Sequence, residues 1–139
     1  MIEDGVLQQW YLTTAVAREL GLESNGRASR GGGVSPSSTN VIVNPGRLTP
    51  KELIASVGNG FYVTELIGHG VNQVTGEYSR GASGFWIENG EITFPVSEVT
   101  IASNLKDMFN RMVFADDIDA KYAIAAPTIA VEGMTLAGD

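Results

Sequence analysis

On either side of Asn89-Gly90, in the run FWIENGEITF, apolar and polar side chains alternate with a period of two. That period marks strands with one buried face. Asn and Gly both accept positive φ, so the pair predicts a type I′ two-residue hairpin turn. Such a turn sets a register, with Glu88 opposite Glu91, Ile87 opposite Ile92, Trp86 opposite Thr93 and Phe85 opposite Phe94. Phe85, Ile87, Ile92 and Phe94 then share one buried face. Pro95 has no N–H to give, so regular pairing is expected to end there. Upstream, Phe61–Ile67 alternates too, with Tyr62, Thr64 and Leu66 on one side and Phe61, Val63, Glu65 and Ile67 on the other.

Elsewhere the patterns are shorter. Gly5–Leu12 reads as a strand, Asn40–Val43 as a short buried one, and Val96–Ile101 as an extended continuation of the hairpin. Tyr122–Ala126 and Thr128–Val131 read as strands broken by Pro127, the second ended by Gly133. Leu12, Val16 and Leu20 lie four apart, which predicts a short helix capped by Thr13 or Thr14 and stopped at Gly21. Leu48-Thr49-Pro50-Lys51-Glu52-Leu53 is a complete helix start: Thr49 at the N-cap, Pro50 at N1, Glu52 closing a capping box, and Leu48 and Leu53 placed for a hydrophobic staple. That helix should stop near Gly58. Leu105, Met108, Phe109 and Met112 predict another helix, capped by Thr100 or Ser103. Leu22–Thr39 is dominated by Gly, Ser, Asn and Pro, and is expected to be a mobile loop, above all over Ser24–Ser38. Its Gly31-Gly32-Gly33 lacks the following Gly-Lys-Ser/Thr of a phosphate loop. The sum is an α+β fold: six to eight short strands in a mostly antiparallel sheet, a partly closed barrel or a sandwich, with two or three short helices.

The length of 139 residues predicts a single domain, 1–139. A net charge of −7 and the absence of any basic stripe argue against a nucleic-acid partner. With one histidine and no cysteine, disulfides and thiolate metal sites are excluded, and no zinc or other cofactor is expected on this chain. There is neither a long apolar run nor a signal-peptide pattern, so no membrane association and a cytoplasmic location are expected. Asp116-Asp117-Ile118-Asp119 lacks the glycine and glutamate of a calcium loop and reads as a solvated turn.

The candidate chemistry lies in the polar, glycine-punctuated loop between the two alternating regions. Loops of that kind, held out on a rigid scaffold, often carry function. Here His69, Asn72, Tyr78, Ser79 and Arg80 supply donors and acceptors, either to the loop's own backbone or to a partner or peptide. Arg80 suits such a place because its planar fork grips carboxylates or carbonyls. Ser79 with His69 is the sole nucleophile–base pairing, and no acid is placed to orient the histidine, which argues against a self-sufficient hydrolase. A small-ligand or peptide binding module without hydrolytic activity fits the same loop.

The order of the motifs carries a resemblance. The run ELIGHGVNQVTGEYSRGASGFWIENGEITFPVSEVTIASNLKDM followed by APTIAVEGMTLAG, with GVLQQWYLTTAVARELGLESNGRASR and NPGRLTPKELIASVGNGFYV before them, resembles the C-terminal domain of the TldD/PmbA family. Members are known as modulators of DNA gyrase and as metalloproteases. The TldD kind carries an HExxxH zinc motif and a further cysteine ligand. The PmbA kind, also called TldE, lacks that set and pairs with TldD. This chain has neither HExxxH nor cysteine, and its Gly68-His69-Gly70-Val71-Asn72 and Glu77-Tyr78-Ser79-Arg80-Gly81-Ala82 segments look like the PmbA kind. The resemblance implies a non-catalytic portion of a TldD/TldE-type complex. Its implied partners are a TldD-like subunit, which would carry the zinc, and a peptide substrate; a homodimer is the alternative assembly for the isolated chain.

Overall fold

The computed structural model describes residues 1–138, and these fall into two compact units, Met1–Ile42 with Lys121–Ile124, and Val43–Ala120 with Ala125 onward. The fold is α+β.

In the first unit, β1 (Ile2–Glu3) and β2 (Val6–Leu7) form a minimal hairpin about Asp4-Gly5, where both residues take positive φ. The single strand expected over Gly5–Leu12 is therefore replaced by a turn, a two-residue strand and an irregular segment. Helix α1 (Thr14–Glu19) is capped by the Thr13 hydroxyl, which accepts from the Val16 N–H at 3.2 Å. It ends before Gly21, whose φ is +67°. Leu12 and Ala17 are buried, whereas Leu20 is exposed, so the expected stripe is cut short at its last position. The loop expected to be mobile over Ser24–Ser38 contains a short hairpin, β3 (Ala28–Arg30) paired with β4 (Val34–Pro36) across the triple glycine. Every residue of both strands is exposed, so backbone pairing and turn glycines make the element without an apolar face. Strand β5 (Val41–Ile42) is exposed and not buried as expected; the Val41 N–H donates to the Ala123 carbonyl at 2.8 Å.

In the second unit, α2 (Pro50–Val57) starts as its sequence predicts. The Thr49 hydroxyl accepts from the Glu52 N–H at 3.3 Å, and the Glu52 carboxylate accepts from the Thr49 N–H at 2.8 Å. Leu53 is 2% exposed and anchors the helix, and Gly58 terminates it at φ +70°. The main sheet follows: β6 (Gly60–Ile67), β7 (Glu77–Glu88) and β8 (Glu91–Asn104), with antiparallel neighbours throughout. Asn104, rather than Thr100 or Ser103, caps α3 (Leu105–Asn110), its side-chain oxygen accepting from the Lys106 N–H at 3.0 Å. The last residue of the expected helical stripe, Met112, lies in β9 (Met112–Phe114); Met108 is buried, and Phe109 is exposed. Beyond β10 (Ile124–Ala125), β11 (Ile129–Val131) pairs with β9, and β12 (Thr135–Ala137), an element without a sequence signal, adds to β8. The four-stranded order is β12-β8-β7-β6, and the remaining strands form two-stranded pairs, so there is no closed barrel among the described residues.

The long hairpin departs from the expected register in an informative way. Glu88↔Glu91 and Ile87↔Ile92 pair as predicted, but Phe85 pairs with Pro95 and not with Phe94. Thr93 and Phe94 together oppose Trp86, and the Thr93 hydroxyl donates to the Trp86 carbonyl at 3.1 Å. This β-bulge moves the alternation on by one residue. Ile87 is buried as expected, while Phe85, Ile92 and Phe94 are exposed. Pairing also runs on past Pro95, because β12 reaches only Thr100–Ala102 and leaves that part of β8 with a neighbour on one side. Two more bulges flank Gly84, one placing Ser97 and Glu98 opposite Ser83, the other adding Thr64 to β6. The core under the sheet is Ala82, Val99 and Ile101, packed by Phe61, Val63, Tyr78, Val96 and Met134.

Candidate functional site

The connection from β6 to β7 is a loop tied to its own backbone. Asn72 organises it: its side-chain oxygen accepts from the Val74 and Thr75 N–H groups at 3.0 and 3.2 Å, and its carbonyl accepts from the Gly76 N–H at 2.8 Å. The Asn104 side chain donates to the Thr75 carbonyl, and the Leu105 N–H to the Gly76 carbonyl, which fixes the turn to the start of α3. Gly70 is required by space. A Cβ there would overlap the Ser79 carbonyl, whose own N–H donates to the Gly70 carbonyl at 2.8 Å.

The five candidate residues divide. His69 and Arg80 meet in an open cleft of about 250 Å³, lined also by Gly68, Gly70, Val71 and Gln73. Asn72 serves the turn, and Tyr78 packs against the core below. Ser79 is exposed and outside the lining of the cleft. Gln73 is the residue that residue-type reasoning passed over; its place three positions from Gly70 in a glycine-bounded loop was the available signal.

Arg80 has the least ordinary environment. It stands on the same sheet face as Ala82, and its neighbour across the ladder is Ile101, so the side chain leaves an apolar floor. One Nη donates to the Leu66 carbonyl at 3.2 Å. Nε is out of contact with solvent and has no hydrogen-bond partner among the described residues.

A zinc site needs several nitrogen, sulfur or carboxylate ligands converging on one point. The cleft offers one imidazole beside a guanidinium, and no cluster of three or more such side chains occurs among the described residues. The donor set does not fit a zinc ion.

The acidic turn has a structural partner. Asp117 accepts from the Thr128 N–H at 2.8 Å and from the Thr128 hydroxyl at 2.7 Å. These bonds, the backbone one first, hold its carboxyl below the usual carboxylate range. Among the described residues, no helix is long and apolar enough to cross a membrane.

The model of the PmbA/TldA metallopeptidase C-terminal domain matches residues 1–138. The chain belongs to that family. It is 45% identical over 139 residues to the metalloprotease PmbA of Escherichia coli O157:H7, covering 99% of this chain and 29% of that protein. A Thermotoga maritima structure named as a candidate modulator of a DNA gyrase superposes with a TM-score of 0.84 at 33% identity, over 98% of this chain and 32% of that one. TldE from Thermococcus kodakarensis shares the fold, with a TM-score of 0.85 at 23% identity, over 99% of this chain and 33% of that one. The chain thus spans about a third of the length of each.

Proposed function

We propose that this domain is a non-catalytic part of a TldD/TldE-type metalloprotease complex, where it helps to bind a TldD-like partner and an extended peptide substrate. The observation that carries this reading is the edge strand β6, eight residues long and unpaired on its outer side among the described residues, running into the cleft of His69 and Arg80. An extended peptide adds to such an edge through backbone hydrogen bonds, which give affinity with little demand on sequence. Hydrolysis itself needs a metal-bound water and a base beside it, and these belong to the partner in this reading. A cytoplasmic setting goes with it.

The test is co-purification with a TldD-like subunit, followed by cleavage of an unstructured peptide by the mixture. Cleavage that needs both components, and that falls on changing His69 and Arg80 to alanine while thermal stability holds, supports the reading. Failure to co-purify, with cleavage indifferent to the domain, refutes it. Stability lost in step with cleavage would reduce both side chains to a structural role.

A further inference from the structure

We propose that the cleft at the end of β6 is a carboxylate-binding site centred on Arg80; resting on the peptide-binding reading above, it takes the free terminal carboxylate of a peptide laid along β6. Four observations converge on it. First, Arg80 is half-buried over an apolar floor, with one Nη bonded to the Leu66 carbonyl and Nε shielded from solvent without a partner among the described residues, so the remaining Nη donors are the ones the cleft can offer. A guanidinium carries five N–H donors, so most of its capacity is unspent. A cation partly removed from water favours a counter-ion. Second, none is supplied by the described residues. The chain carries 16 carboxylate side chains and a net charge of −7, yet no carboxylate among the described residues lines the cleft. Of the nearest acids in sequence, Glu77 accepts from the Thr75 hydroxyl, and Glu65 pairs with Ser83 on the other face of the sheet. Third, the other polar side chains lining the cleft are His69 and Gln73, and both can donate to an anion. Fourth, position selects the end of a peptide over its middle. Arg80 is fastened to Leu66, one residue before β6 ends at Ile67, so a peptide added parallel to β6 brings its C-terminal end beside the guanidinium. A planar carboxylate matches the fork of an arginine, and the pair is charge-assisted.

The test uses the 139-residue chain and three probes at constant ionic strength: sodium acetate, inorganic phosphate, and an N-acetylated alanine peptide offered as its free acid and as its C-terminal amide. The readouts are the ¹⁵N-resolved Nε–H signal of Arg80 and the dissociation constants. The expected result is a saturable shift of that signal with the free acid, about tenfold or more weaker binding of the amide, and competition by acetate. Arg80→Gln should abolish the preference for the acid, and Arg80→Lys should weaken it. Acid and amide bound equally, with Arg80→Gln without effect, would overturn the carboxylate site and leave the strand-edge reading standing. Phosphate bound more tightly than acetate would also overturn it. Acetate active while neither peptide binds would keep the anion site but remove the peptide from it, and with it the strand-edge reading. Should Arg80→Gln fail to fold, the acetate titration of the unaltered chain still decides, because no shift at Nε–H refutes the site.

Discussion

Ile87 and Phe94 look equivalent in sequence, both apolar and both on the inward phase of the hairpin, but the bulge at Thr93-Phe94 separates them. Ile87 is 3% exposed and Phe94 is 50% exposed. Ile87→Ala removes nearly fully buried carbon, at about 0.8 kcal/mol for each buried CH₂ equivalent, and leaves a cavity, so the loss should be about 2–5 kcal/mol. Phe94→Ala removes a ring that still faces water over half its surface and leaves no enclosed void. Its cost should be about 1 kcal/mol or less. The assay is urea unfolding in a Trp10→Phe background, which makes Trp86 the sole tryptophan. Trp86 lies on β7, half-buried, with its ring 6.5 Å from that of Phe61, so its fluorescence reports this sheet. With a slope of about 2 kcal/mol per molar urea, Ile87→Ala should lower the midpoint by about 1–2.5 M, and Phe94→Ala by no more than about 0.5 M. Equal losses, or a larger one at Phe94, would mean that Phe94 is buried and that its exposure in this structure is wrong.

Thr49→Ala should cost about 1 kcal/mol by removing the α2 cap. The Thr49 N–H and then the Thr49 hydroxyl hold the Glu52 carboxyl below its usual range. Because the folded value is the lower one, this contribution is present above the unfolded value and is lost as pH falls through the folded one; in Thr49→Ala the Glu52 titration, followed by carbon NMR, should move only part of the way back. Glu98 sits at φ +60° in the second bulge, so Glu98→Val should cost about 1–2 kcal/mol in thermal unfolding, whereas Glu98→Gly should not destabilise. Elemental analysis of the purified chain should find no stoichiometric zinc, and one tightly held zinc per chain would refute its placement with the PmbA kind.

How much of the site could be read from sequence depended on the range of the interactions. The glycine-bounded loop, its single histidine and its arginine are visible in the chain, and so is their chemical capacity. That Asn72 binds Val74 and Thr75 is a local turn two and three residues long, whereas that Tyr78 packs below and that Gln73 joins His69 and Arg80 at the cleft are consequences of how β6 and β7 pair. Residue type alone ranks all of these polar side chains together.

The elements settled by the sequence itself are those closed by bonds a few residues long. The Thr49–Glu52 capping box, the Thr13 cap and the Asn89-Gly90 turn need only neighbours in the chain, and each formed as its residues require. Tertiary structure decided the rest. The bulges at Thr64, Thr93-Phe94 and Ser97-Glu98 have no local period to announce them, because each reconciles the twist and packing of one strand with its neighbour. Strand β12 exists because the edge of β8 at Thr100–Ala102 was available to pair, and the β3–β4 hairpin forms with no buried face to pattern it. Arg80 shows the same division. Its chemistry is written in the chain, but only the pairing of β6 with β7 puts it at the end of an open strand edge, on an apolar floor and with no carboxylate among the described residues lining its cleft.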